Sequence, residues 1–307
     1  MPHLYPPEGR LLHTAENQAA GETISALRQA MAQETVLEGR AVLCTPAHDL
    51  VIRLGDFTGT IPREEAALGI REGTAREISI LSRVGKPTAC VVTGVEEAPF
   101  RLTLSRRRAQ EQALETLLAC PAGTVLPATV THLAPFGAFV DVGCGVVSMI
   151  GIENCSVARI SHPARRFRLG QEIYGVLTGG DRALGRVYLS HKELLGTWME
   201  NAARFSPGMT VPGWVRGVKP YGTFVELAPN LTGLADQTQG LREDDRVSVY
   251  LKAILPDRMK VKLNILQVLP PQEEPDPLFY FITSGQLSRW IYSPPQRQGP
   301  RIETVFN

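Results

Sequence analysis

Four aromatic residues stand in two matched pairs, Phe136 with Phe139 and Tyr221 with Phe224. Flat rings on a strand surface, beside polar groups, can stack a planar ligand. Their surroundings recur. Residues 135–142 read PFGAFVDV and residues 220–227 read PYGTFVEL. The longer segments Gly123–Val142 and Gly208–Leu227 align without a gap at an offset of 85 residues. A repeat of this kind makes each copy one structural unit.

The elements that must position these rings are short strands. Alternation puts Val130 and Val215 on one face and Thr129, Thr131, Trp214 and Arg216 on the other. Beyond a bend, Ala138, Val140 and Val142 share a core face, with Val225 and Leu227 in the second copy. Phe139 and Asp141, or Phe224 and Glu226, share the opposite face, which the carboxylate marks as wet. Gly137 and Gly222 suit a bulge that brings the two rings of each pair together. Both copies close on a strand, RVYLS at 186–190 and KVKLN at 260–264, with Arg186, Lys260 and Lys262 outward. A weaker copy comes first, in which His48 and Val51 take the aromatic places. Five short strands per copy fit a small closed barrel of the OB type.

The fold class expected is mainly β, with three tandem five-stranded OB-type barrels joined by short α-helices. The segments are an N-terminal stretch at 1–36, a degenerate barrel at 37–106 and a linker helix at 107–122. A barrel at 123–190, a second linker helix at 191–207 and a barrel at 208–266 follow. A Pro-rich, aromatic tail occupies 267–307. Residues 1–14 read as loose and 15–34 as one helix. Ser105 caps the first linker helix and Ser190 the second. The tail is expected to dock as a short helix and strand. In the second barrel a basic insertion, Arg165-Arg166-Phe167-Arg168, suits phosphate capture.

At this point the residues resemble the S-one RNA-binding domain, the OB-fold repeat of the bacterial small-subunit ribosomal protein of that name. The signature is Gly123, Val130, Phe136-Gly137-Ala138-Phe139-Val140-Asp141, Gly143, Gly170-Gln171, Asp181 and Arg186-Val187-Tyr188-Leu189-Ser190-His191-Lys192. The three-copy layout is similar to the short forms of that protein. The resemblance implies an RNA surface on Phe136, Phe139, Asp181 and Arg186, and on Tyr221, Phe224, Asp257 and Lys260. The family's strand-three histidine is missing; its place falls near Gly151 and Asp236. Bases would stack on the rings while Arg186, Lys260, Lys262 and Arg216 hold phosphates, with Trp214, Arg165 and Arg166 as further contacts. The partners implied are single-stranded RNA or mRNA and the small ribosomal subunit, in the cytoplasm, with the chain a monomer in isolation.

Composition sets bounds on this reading. The chain has 307 residues and a net charge of +1, which is modest for a nucleic-acid binder. The five cysteines show no C-x-x-C spacing, so no metal is expected, and no cofactor motif appears. No apolar run approaches membrane length. Ser190-His191 is an adjacent pair with no third member, so catalysis is not expected. Two rivals follow from the same residues. One is a non-ribosomal RNA chaperone or RNA-turnover accessory. The other is a protein-interaction scaffold in which the aromatics are buried.

Overall fold

In a computed structural model, residues 4–182, 184–272 and 274–306 are described. They form three closed five-stranded barrels and a few short helices. The chain divides into two compact units. One holds Met1–Cys120, Asp141–Val147 and Asp181–Arg186; the other holds Pro121–Val140, Ser148–Gly180 and Val187–Asn307.

The first barrel follows α1 (Ala15–Ala20) and α2 (Ile24–Ala32). The single helix expected at 15–34 is broken there, because Thr23 starts a new helix by accepting from the Ala26 N–H. Its strands are β1 (Val36–Cys44), β2 (Leu50–Leu54) and β3 (Phe57–Ile61). After α3 (Ile78–Leu81) come β4 (Pro87–Glu97) and β5 (Phe100–Ser105). They close in the order β1-β2-β3-β5-β4, with β3 and β5 parallel at Thr60 and Thr103. α4 (Arg106–Ala119) follows, its Arg108 N–H received by Ser105 Oγ at 3.0 Å. Residues 5–14, expected to be loose, are tied down. Glu38 accepts from the N–H groups of Gly9, Leu11 and Leu12 at 2.6–2.9 Å, and Glu8 pairs with Arg106 and Arg83, each at 2.8 Å.

The second barrel comprises β6 (Val125–Ala134), β7 (Gly137–Asp141) and β8 (Val147–Gly151). After the one-turn α5 (Ile152–Cys155) come β9 (Glu172–Asp181) and β10 (Arg186–Ser190). α6 (Trp198–Ala202) follows, capped by Thr197 in a reciprocal box with Glu200 rather than by Ser190. Ser190 instead donates to Glu193. The third barrel has β11 (Thr210–Lys219), β12 (Gly222–Ala228), β13 (Leu231–Ala235), β14 (Arg246–Leu255) and β15 (Lys260–Val268). Its third and fifth strands again run parallel, Leu234 opposite Lys262. The tail forms a two-stranded sheet of β16 (Arg289–Ile291) and β17 (Glu303–Val305), with no helix among its described residues.

Alternation locates the core. Val130, Ala138, Val140, Val215 and Val225 are buried, each contributing on the order of 1.5–3 kcal/mol for the larger side chains. Trp290 and Tyr292 of the tail join the third-barrel core with Trp198. Tyr280 of the tail donates or accepts at His191 Nε2, 2.9 Å away. His191 is fully buried, which pushes its pKa down to about 4, so it is neutral at pH 7.

Candidate functional site

The ring pairs are built alike in the second and third barrels. Phe136 and Phe139 lie edge to face with centroids 6.0 Å apart and planes at 86°. Tyr221 and Phe224 lie 6.1 Å apart at 88°. The first ring of each pair projects into solvent, Phe136 at 58% and Tyr221 at 69% exposure. The second is half-buried in its strand. Only glycine fits between them. A Cβ on Gly137 would sit 2.7 Å from the Ile150 carbonyl oxygen, and one on Gly222 would sit 2.5 Å from that of Ala235. The neighbouring strand runs so close that any side chain here would force the two strands apart. In the third barrel the bulge lies in the facing strand, between Val215 and Gly217, rather than at Gly222.

Residues opposite one another on paired strands share a face. On the third barrel Phe224 is opposite Leu234, and Leu234 is opposite Lys262, so an aromatic, an aliphatic and a cation form one lateral row. On the second barrel the corresponding parallel pair is Met149 opposite Tyr188, both exposed. Met149 Cγ lies beside Gly137. His132 adds an imidazole from β6, its centroid 5.8 Å from Phe139. Reading by alternation missed His132 because it puts that residue with Val130. The burial pattern of β6 changes phase after Thr131, and His132 turns outward. Tyr188 and Met149 join this surface through strand pairing, which the sequence alone does not show.

The predicted cations divide into two groups. Arg186, Lys260 and Lys262 are exposed. Arg165 is exposed too, and pairs with Asp244 at 3.0 Å. Arg166 and Arg216, expected outward, are buried. Arg166 reaches both oxygens of Glu226, at 2.7 and 3.1 Å, and Ser156 Oγ at 3.0 Å. Arg216 Nε donates to Glu226 at 2.7 Å and its Nη1 to Asp244. The basic insertion therefore joins the second barrel to the third through Arg166, whose guanidinium is taken up by Glu226.

The carboxylates expected to face water are buried as well, Asp141 at 4% and Glu226 at 3% exposure. Burial alone would push the Glu226 carboxyl up, but Arg166 and Arg216 hold it below the usual carboxylate range. Asp141 accepts from the N–H groups of Glu8, Gly143 and Gly145 at 2.8–3.0 Å. Its burial, and the Glu8 carboxylate, push its pKa up to about 6. Alternation had assigned the correct face to both residues; tertiary packing then covered it. Asp181 accepts from the Leu184 N–H at 3.0 Å, a turn-forming contact. Trp214 is half-buried, and its indole N–H donates to Asp276 at 2.8 Å.

Among the described residues the first barrel has no edge-to-face pair of this kind; its Phe57 and Phe100 lie 5.3 Å apart but tilted at 34°. Val51 is opposite Thr60, and Thr60 is opposite Thr103. His48 Nδ1 lies 2.8 Å from Glu77, which Arg63 also holds. All five cysteines are free, and burial pushes the Cys90 and Cys155 thiols up to about 12. Among the described residues no group of His, Cys, Asp or Glu could hold a metal ion, and no helix is long and apolar enough to cross a membrane.

Comparison with known proteins matches residues 120–192 to the S1 RNA binding domain. The small ribosomal subunit protein bS1 of Leuconostoc lactis is 29% identical over 245 residues, which cover 73% of this chain and 55% of that protein. The bS1 homolog of Bacillus subtilis is 32% identical over 161 residues, covering 50% of this chain and 42% of its own. The chain thus spans about half the length of the curated relatives it matches. A multidomain protein with nucleic acid binding domains from Streptococcus pneumoniae covers 76% of this chain and 74% of its own at 14% identity. Its TM-score of 0.26 is too low to bear on the architecture. The second barrel thus matches the S1 RNA binding domain, and the chain around it is similar to small ribosomal subunit protein bS1.

Proposed function

We propose that this protein binds single-stranded RNA by stacking bases on the ring pairs of its second and third barrels. The observation that carries this reading is the duplicated pair, with the same spacing and the same edge-to-face angle in both copies. A core ring has no reason to be more than half exposed, as Phe136 and Tyr221 are. This exposure speaks against a scaffold with buried aromatics. Arg186, Lys260 and Lys262 supply the salt-dependent part of the affinity. His132, Met149 and Tyr188 extend the second-barrel surface. The similarity to bS1 supports a cytoplasmic role in translation, presenting mRNA at the small ribosomal subunit.

The test is fluorescence anisotropy of a labelled single-stranded RNA across a salt series, with wild type and Phe139→Ala/Phe224→Ala. Each stacked base contributes roughly 1–3 kcal/mol. The double variant is expected to lose at least about 30-fold while remaining folded at the assay temperature, as its melting curve would show. Equal affinity in a folded double variant would refute stacking. Co-sedimentation with the small subunit decides between the translational role and a free RNA chaperone.

A further inference from the structure

Between β15 and the sheet at its end, the tail crosses the outer side of β11 as an acidic strap. Asp276 Oδ2 accepts from the Trp214 indole at 2.8 Å. Glu274 pairs with Arg168 at 2.7 Å, and the Pro275 carbonyl accepts from the same guanidinium at 2.9 Å. Gln272 Nε2 donates to Asp276 and to the Glu274 carbonyl, at 3.1 and 2.8 Å. A small cleft beneath is lined by Gln272, Glu274 and Pro275 on one side and by Arg165, Trp214 and Arg216 on the other.

The surface under the strap has the composition of a nucleic-acid contact. The guanidiniums of Arg216 and Arg246 lie 5.8 and 6.0 Å from the Trp214 ring centroid. Arg165 and Arg168 stand exposed at its margin. Arg246 Nε is buried without a hydrogen-bond partner among the described residues. Against this surface the strap sets the Glu274 and Asp276 carboxylates and the Pro275 carbonyl, acceptors of the kind a phosphodiester strand presents.

The strap is held lightly. Glu274, Asp276 and Arg168 are all exposed, and exposed ion pairs are weak. No described strap residue belongs to a core cluster. The chain is anchored on either side instead. The Leu269 N–H donates to the Arg246 carbonyl at 2.8 Å, and Tyr280 is bonded to His191. Both anchors lie outside the contacts that Glu274, Pro275 and Asp276 make.

We propose that the acidic strap is a displaceable cover over a third RNA-contact surface, formed by Trp214, Arg165 and Arg168 with Arg246 beneath. Single-stranded RNA takes the place of the Asp276 and Glu274 carboxylates and stacks a base on Trp214. This rests on the RNA binding proposed above.

The test compares Glu274→Gln/Asp276→Asn with Glu16→Gln/Glu22→Gln, which makes the same change in net charge at exposed sites remote in sequence. Binding of oligouridylate is measured by anisotropy, together with tryptophan emission. Trp198 and Trp290 are buried at 2% and 5% exposure, so an RNA-dependent change in emission or in acrylamide quenching reports Trp214. The strap variant is expected to bind about 3- to 10-fold tighter than the control variant, the equivalent of the exposed contacts released. RNA is also expected to change the Trp214 signal in wild type. Equal affinity of the two variants, with wild-type binding still dependent on Phe139 and Phe224, overturns the cover and leaves the stacking faces standing. An unchanged Trp214 signal at saturating RNA does the same. Absence of binding by every form overturns both readings.

Discussion

Replacing Glu226 with glutamine is expected to destabilise the unit that contains the third barrel and most of the second by about 3–5 kcal/mol, the usual cost of stripping one partner from a buried ion pair. Two buried guanidiniums, Arg166 and Arg216, converge on this carboxylate through three hydrogen bonds of 2.7–3.1 Å. Glutamine keeps the shape but removes the charge and points an amide N–H₂ at a guanidinium. Arg216 retains Asp244, whereas Arg166 retains only the Ser156 hydroxyl. For a unit of this size the loss corresponds to a fall of roughly 6–20 °C in melting temperature. Circular dichroism melts would compare Glu226→Gln with Asp236→Asn, which breaks an exposed pair to Lys252. The surface change is expected to cost under about 1 kcal/mol. Equal shifts for the two variants would refute the account of the network. The pH dependence follows from the same contacts. The folded state holds the Glu226 carboxyl below its ordinary value, so it keeps the charge to lower pH than the unfolded chain. The stabilisation is complete above the ordinary carboxylate value and disappears as pH falls through the folded one.

Asp141 has the opposite sign. Its folded pKa is raised to about 6, so its contribution is present below the ordinary aspartate value and is lost as pH rises through about 6. Urea unfolding between pH 4 and 7 should therefore show the stability of wild type relative to Asp141→Asn declining up to about pH 6 and level above it. Gly123 and Gly208 share one repeat position and a positive φ, 84° and 94°. A Cβ on Gly123 would meet the Leu287 carbonyl oxygen at 1.7 Å, whereas one on Gly208 meets nothing within 4 Å. Gly208→Ala is expected to cost about 1 kcal/mol of backbone strain, and Gly123→Ala clearly more, with faster proteolysis of the tail. Tyr280→Phe leaves His191 Nε2 without its partner and is expected to cost about 0.5–1.5 kcal/mol, read by denaturant unfolding and by faster amide exchange around residues 278–282.

The barrels were legible in the sequence because their signal is local. Period-two alternation marks Val130, Val140, Val215 and Val225 as core, and the 85-residue offset repeats it. The ring pairs were legible for the same reason. Arg166, Arg216, Asp141 and Glu226 were not, because alternation reports which face of a strand a residue occupies and not what later covers that face. The covering groups lie far off in sequence, as Arg166 does from Glu226, and no periodicity connects them. His132 was hidden by a phase change inside one strand. The break between α1 and α2 was missed because the apolar spacing of Ile24, Leu27 and Met31 belongs to α2 alone and says nothing of where the helix before it ends.

The ion network between the basic insertion and the third barrel also bears on the length of RNA that the protein can measure. The Arg166 contact to Glu226, a carboxylate that Arg216 also holds within the third barrel, ties the insertion of one barrel directly to the other. The interval from Phe139 to Phe224 is then a fixed span rather than the average over a loose tether. A strand too short to cross it gains nothing from the second ring pair, and one just long enough gains nearly all of it. Affinity plotted against oligonucleotide length should rise in a step, so that the two barrels act as a calliper.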